Sequence, residues 1–313
     1  MFMDYLFILL GMVLLYFGGE FLVKNAVTLA RGWGVSTMVV GLTVVAFGTS
    51  SPELAASLAA ALQGSPELAV GNVIGSNIFN VLGILGLTAI IAVIKVQSQF
   101  IVREVPILLG VTLLGIFLLR DGYLGRLEGL FFVVLLGAYI WFLYFASKKD
   151  TVLESEMTEA YEDGKTTWRT YLGLVLGLVF LGVGARILVL GAVGIARGFG
   201  VSELVIGLTV VALGTSLPEI AASVIAALKK EPDIALGNVI GSNVFNILCI
   251  LGITAAVSPI SVSWESVQRD VWVMLGVTVL LVPFLLTGRR LSRLEGTVFV
   301  ALYVAYVALV LTG

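Results

Sequence analysis

The sequence has no histidine and only one cysteine among its 313 residues. A lone cysteine excludes an intramolecular disulfide, and the missing histidine removes Cys/His zinc sites and imidazole acid–base chemistry. Cys249 itself reads as a small apolar side chain facing a neighbouring helix. Charge is equally scarce: 12% of residues are charged, 59% are apolar and the mean hydropathy is +1.10. That leaves too little polar surface to cover a water-soluble globule. The net charge is −2 and the basic residues are scattered through loops, without the clustered basic face of a nucleic-acid-binding protein. There is no Ser/His or HExxH constellation and no Walker lysine beside the glycine-rich segments, so neither an enzyme nor a nucleotide-binding protein is expected. No Lys or Arg precedes Lys24. The basic n-region of a cleavable signal peptide is therefore missing, and the first apolar segment is expected to remain in the mature protein.

What the chain does have is long apolar runs. A helix needs about 20 such residues to cross the hydrocarbon. Ten segments qualify, at 3–23, 36–61, 68–93, 102–119, 127–146, 170–195, 202–228, 234–257, 270–286 and 294–312. The expected fold is an all-α integral membrane protein. Across ten spans, 13 of the Lys and Arg residues fall on one side and 5 (Arg120, Arg126, Arg186, Arg197 and Arg269) on the other. The positive-inside rule then places both termini outside and the 147–169 loop in the cytoplasm of a cell-membrane protein.

Shifting the sequence by 166 residues lays Gly41–Asn80 on Gly207–Asn246 without a gap, and 28 of the 40 positions are identical. The chain therefore divides into a first five-helix repeat, 1–146, a polar linker, 147–169, and a second repeat, 170–313. An odd number of spans per repeat forces the second to enter the membrane from the opposite side, giving inverted repeats. Such an architecture places a binding site at mid-membrane between two related gates, as in secondary transporters. The linker carboxylates, Glu154 to Asp163, lack the spacing and central glycine of an EF-hand loop and read as solvated.

Each repeat carries Gly-Thr-Ser-x-Pro-Glu in mid-span: Gly48, Thr49, Ser50, Pro52 and Glu53, then Gly214, Thr215, Ser216, Pro218 and Glu219. Proline lacks an N–H and clashes with the preceding turn, so each span should kink or break here. A break frees carbonyl oxygens that in hydrocarbon need another partner. With the threonine and serine hydroxyls and a carboxylate beside them, each half offers hard oxygen ligands suited to sodium, calcium or magnesium. A carboxylate at this depth costs about 3 kcal/mol on insertion scales, so two of them call for a counter-charge, a proton or water. The following spans contain "GNVIGSNIFN" and "GNVIGSNVFN". Asn72, Ser76 and Asn80, like Asn238, Ser242 and Asn246, recur every four residues along one helix face. Asn77 and Asn243 point about 100° away from the adjacent serines and read as interhelical hydrogen-bonding groups, not ligands. Gly71, Gly75, Gly237 and Gly241 fit the small-xxx-small pattern of close helix packing.

With these residues, "GTSSPE" with "GSNIFN" and "GTSLPE" with "GSNVFN", the chain resembles the cation/calcium exchanger superfamily over its full ten-span layout, and within it the prokaryotic sodium/calcium exchanger branch. The resemblance implies a secondary active antiporter that exchanges Ca2+ for several Na+, with no cofactor and with the lipid bilayer as its surroundings, functional as a monomer. It implies that Glu53 and Glu219 are the central Ca2+ ligands, joined by Thr49 and Thr215. Ser50, Ser76, Ser216 and Ser242, with the carbonyls of Ala46 and Ala212, would complete sodium sites, and Asn80 and Asn246 would sit mid-cage while spans one and six slide across the core. Asn246 is an amide where some prokaryotic relatives and the potassium-dependent exchangers have aspartate, which argues against K+ co-transport. The GNxxE-type motif of proton/calcium exchangers is absent, which favours sodium coupling over the alternative of a proton/calcium antiporter. A gated cation channel is the reading from another class, but channels usually assemble a glutamate ring by oligomeric symmetry, and both glutamates here lie in one chain.

Overall fold

The computed structural model describes residues 2–155, 166–199 and 212–312. Linker residues 156–165, and 202–211 of the expected seventh span, lie outside the described residues. The chain is built from helices α1 (Phe2–Trp33), α2 (Thr37–Thr49), α3 (Ser51–Leu62), α4 (Pro66–Ile91), α5 (Phe100–Leu119) and α6 (Arg126–Ser155), then α7 (Trp168–Gly198), α8 (Ala212–Thr215), α9 (Leu217–Leu228), α10 (Pro232–Val257), α11 (Trp264–Leu286) and α12 (Arg293–Thr312). Among the described residues, eight helices are long and apolar enough to cross a membrane, and α2 with α3, bent by 45°, makes a ninth. Of the ten expected spans, the seventh is described only from Ala212 onward.

Helix ends depart from the apolar limits in a consistent way. Helix α1 runs on to Trp33 and α6 to Ser155, past the expected span ends at 23 and 146. Apolar length marks where lipid ends, whereas the i to i−4 ladder continues for as long as the residues tolerate helical angles. The bend between α2 and α3 lies at Ser50, with φ −81° and ψ 4°, two residues before Pro52 in the first turn of the new helix. Ser216 repeats it with φ −92° and ψ 6° before Pro218. The breaks expected from the two prolines are both present.

Helices α4 and α10 are the most buried, and the others turn apolar faces outward, as a protein surrounded by lipid requires. Each of these two helices contains a π-helical stretch, Asn80–Leu85 and Asn246–Leu251. Two short antiparallel strand pairs connect the halves. Strand β1 (Ile94–Lys95) pairs with β4 (Arg290–Leu291), and β2 (Tyr123–Leu124) pairs with β3 (Ile260–Ser261). Since α5 leads from β1 to β2 and α11 from β3 to β4, these pairings make α5 and α11 antiparallel. The long helices α1 and α7 cross tightly through glycines. A Cβ on Gly11 would meet the Gly184 carbonyl at 2.8 Å, and one on Gly177 would meet the Gly18 carbonyl at 3.0 Å. The two contacts are related by the same 166-residue shift that relates the sequence motifs.

Apart from the two motif glutamates, a buried carboxylate lies in α5. Glu104 accepts from Arg103 Nε at 2.6 Å and from the Tyr139 hydroxyl at 3.0 Å. Tyr139→Phe leaves a fully buried acceptor one donor short, at a cost of about 1–3 kcal/mol. The expected result is a lower melting temperature in detergent with little change in how the protein handles ions; an unchanged melting temperature would mean that the tyrosine bond contributes nothing.

Candidate functional site

The breaks determine which side chains meet. Because Pro52 and Pro218 sit at the start of α3 and α9, Glu53 and Glu219 occupy the first turns of those helices. There the exposed N–H groups and the helix dipole favour a negative charge. Both glutamates are buried, at 2% and 1% exposure. Each is held by the opposite half. The Ser216 hydroxyl donates to Glu53 Oε1 at 3.1 Å, and the Ser50 hydroxyl donates to Glu219 Oε1 at 3.2 Å. The carboxylate of one half is thus fixed at the helix break of the other.

Helices α4 and α10 buttress this pair. Asn72 Nδ2 donates to Ser57 Oγ at 2.9 Å and to the Glu53 carbonyl at 3.4 Å, and Asn238 Nδ2 does the same to Ser223 and the Glu219 carbonyl at 2.9 and 3.4 Å. The Thr49 hydroxyl lies 3.1 Å from Asn238 Oδ1 and 3.3 Å from the Ala46 carbonyl. That carbonyl also accepts from the Ser50 N–H at 3.0 Å. Ser50 and Asn72 therefore already have protein partners. Thr215 ends α8 and is half-buried; Ala212 begins it.

Four asparagines join α4 to α10. Asn77 and Asn243 each donate to the other's backbone carbonyl at 3.3 Å. Asn80 Nδ2 donates to Asn243 Oδ1 at 2.9 Å and Asn246 Nδ2 to Asn77 Oδ1 at 3.0 Å. Asn77 and Asn243 act as the interhelical groups expected from their angular position. Asn80 and Asn246 open the π-helical stretches, where the altered register re-aims the side chain. Helix α3 packs on the stretch beginning at Asn246 and α9 on that beginning at Asn80, so each glutamate-bearing helix packs on the other half's π-helical stretch.

Among the described residues, the buried oxygens left without a hydrogen-bond partner include Glu53 Oε2, Glu219 Oε2, Asn80 Oδ1, Asn246 Oδ1 and Ser242 Oγ. Four of these five can only accept when the glutamates are ionised. Buried acceptors normally have partners, so this concentration fits a hard cation held by oxygen. No three His, Cys, Asp or Glu side chains cluster among the described residues. The carboxylates brought together here are the two glutamates, and the other oxygens beside them are neutral.

The corresponding stretches of α4 and α10 differ in burial. Gly237, Asn238, Gly241 and Ser242 are all buried, and a Cβ on Gly241 would meet the Leu42 carbonyl at 2.5 Å. Their counterparts are more open: Gly71 is exposed, Asn72 and Gly75 are half-buried and Ser76 keeps 8% exposure. A cavity of about 220 Å3 is lined by Glu67, Gly71, Gly75, Asp270 and Tyr306 among others, with neither Glu53 nor Glu219 on its wall.

Reading the sequence alone missed the π-helical stretches, which have no local signature, and the Ser57 and Ser223 partners. The serines had a signal, since the "AAS" of Ala55–Ser57 recurs at Ala221–Ser223.

Comparison with known proteins points one way. The family model described as "Sodium/calcium exchanger protein" matches residues 3–145 and 169–312. CaxA of Alkalimonas amylolytica is 42% identical over 310 residues, 96% of each chain. The sodium/calcium exchanger MaX1 of Methanosarcina acetivorans is 35% identical over 344 aligned positions, 97% of each chain. A solved structure of the sodium-calcium exchanger NCX_Mj, soaked with zero Na+ and Ca2+, superposes with a TM-score of 0.85 at 30% identity, covering 99% of each chain.

Proposed function

The chain belongs to the sodium/calcium exchanger protein family, a family of transmembrane antiporters, and from that premise we propose that it exchanges Ca2+ for several Na+ at one mid-membrane site containing Glu53 and Glu219. The observation that carries this reading is the pair of buried carboxylates, each anchored through one oxygen to the opposite half while its other oxygen has no protein partner. Two ionised glutamates balance one Ca2+. Sodium ions must occupy several weaker positions to replace it, and Thr49, Thr215, Ser50, Ser216, Ser76, Ser242, Asn80, Asn246 and the carbonyls of Ala46 and Ala212 are assigned to the shared cage.

Ten spans in two inverted repeats are part of the same proposal. They are supported by the antiparallel α5 and α11 and by hydrogen bonds that repeat at the 166-residue shift. Alternating access would close one side as it opens the other. The sealed Gly237–Ser242 face and the open Gly71–Ser76 face support one such state. With both termini outside, the open side is extracellular. Helices α1 and α7, crossing through their glycines, would move together as the gate. One chain supplies the whole site, so a monomer suffices.

Shared oxygens make the ions mutually exclusive. In purified protein, saturating Na+ should lower apparent Ca2+ affinity progressively, measured by 45Ca2+ binding. Ca2+ affinity unaffected by Na+ would contradict the shared cage.

A further inference from the structure

We propose that Asn77 and Asn243 are positioning residues that fix the amides of Asn246 and Asn80 so that each turns its oxygen, not its NH2, toward the transported cation. This rests on the reading of Asn80 and Asn246 as cage residues. The chain of reasoning begins at a backbone carbonyl, which can only accept. The side-chain atom of Asn77 lying 3.3 Å from the Asn243 carbonyl must therefore be its NH2, which also reaches the Met274 sulfur at 3.6 Å. The Asn77 Oδ1 then faces the other way and requires a donor. Asn246 supplies one, its Nδ2 at 3.0 Å. With its NH2 committed, Asn246 leaves Oδ1 as the free end, and that oxygen is buried without a protein partner.

The mirror relay obeys the same logic. The Asn77 carbonyl fixes the Asn243 NH2 at 3.3 Å, Asn243 Oδ1 accepts from Asn80 Nδ2 at 2.9 Å, and Asn80 Oδ1 is the buried oxygen left over. An isolated asparagine could present either end of its amide to the cage. Here the polarity is set two hydrogen bonds away, by a carbonyl of the same helix acting through an asparagine of the other half. A flip of Asn246 would place oxygen against oxygen at Asn77 and an NH2 against the cation. All four side chains are buried, so water does not replace a lost partner. The arrangement also accounts for the spacing: Asn77 and Asn80 lie three residues apart on α4, as do Asn243 and Asn246 on α10, which lets each helix provide one orienting and one presenting amide.

The test is a double-mutant cycle in proteoliposomes, reading half-saturation by Ca2+ separately from maximal 45Ca2+ flux for wild type, Asn246→Ala, Asn77→Ala and the double variant. Losing a residue that orients an ion ligand typically costs about tenfold in metal affinity. Each single variant should raise half-saturation by about that factor, with maximal flux much less affected, and the double variant should be no worse than the poorer single. Multiplying effects, about a hundredfold in the double, would overturn the relay and leave Asn77 a packing residue. If Asn246→Ala left half-saturation unchanged, the cage assignment itself would fall, and the relay with it. The mirror cycle of Asn243→Ala and Asn80→Ala is read in the same way and decides the matter should Asn77→Ala fail to fold.

Discussion

Reconstituted Glu53→Gln or Glu219→Gln protein, matched for amount, should carry about a hundredth of wild-type Ca2+ flux or less. Glutamine keeps the shape and the acceptor that Ser216 or Ser50 holds. It removes one of two negative charges and aims an NH2 where Glu53 Oε2 or Glu219 Oε2 now offers an oxygen. Removing one partner of a buried charge pair costs about 2–5 kcal/mol, and 1.4 kcal/mol is tenfold, so a loss near a hundredfold is the expected scale. Since each glutamate serves a site shared by both halves, the two variants should be similarly impaired. The readout is Na+-dependent 45Ca2+ uptake alongside size-exclusion profiles. Wild-type flux in both variants would reduce the glutamates to structural groups.

Gly184→Leu should be nearly as damaging, for a reason rooted in packing instead of charge. A Cβ at Gly184 would stand 2.9 Å from Leu14 Cβ and 3.0 Å from both the Gly11 carbonyl and the Leu15 nitrogen. Two of those three atoms are backbone, so the clash is relieved only by separating α1 from α7. Overpacking costs about 1–3 kcal/mol where side chains can yield, and more where they cannot. The expected result is under about a tenth of the wild-type yield of monodisperse, transport-competent protein. Gly110→Leu is the control, because Gly110 is exposed and has no described neighbour within 4 Å of its added Cβ. Equal yields from the two variants would show that the α1–α7 crossing tolerates separation.

Much of the candidate site could be read in the sequence because duplication made it visible. The 166-residue shift that pairs Glu53 with Glu219 also pairs hydrogen bonds linking the halves: Ser50 to Glu219 with Ser216 to Glu53, and Asn80 to Asn243 with Asn246 to Asn77. Proline chemistry located the two breaks to within two residues, at Ser50 and Ser216, since a missing N–H is a local fact. What was hidden depends on packing between distant segments. The π-helical stretches at Asn80 and Asn246 arise where two buried helices meet, and their extra residue per turn has no compositional mark. The Arg103, Glu104 and Tyr139 group was missed for a different reason. Its signal was present, as "REV" at Arg103–Val105 against "RDV" at Arg269–Val271, but it lay outside the 40 residues where the repeat is strongest. Nor could spacing reveal that Gly237–Ser242 is buried while Gly71–Ser76 is more open, because identical motifs in the two halves adopt different burial.

The measurement that most directly tests the central claim is 45Ca2+ uptake into sealed proteoliposomes loaded with Na+ and diluted into either Na+-free or Na+-matched buffer, each with and without a pH gradient. The account predicts rapid uptake only when the Na+ gradient points outward, unaffected by the pH gradient. Uptake that follows the pH gradient alone, or that proceeds with no counter-ion on the opposite side, would contradict sodium/calcium exchange.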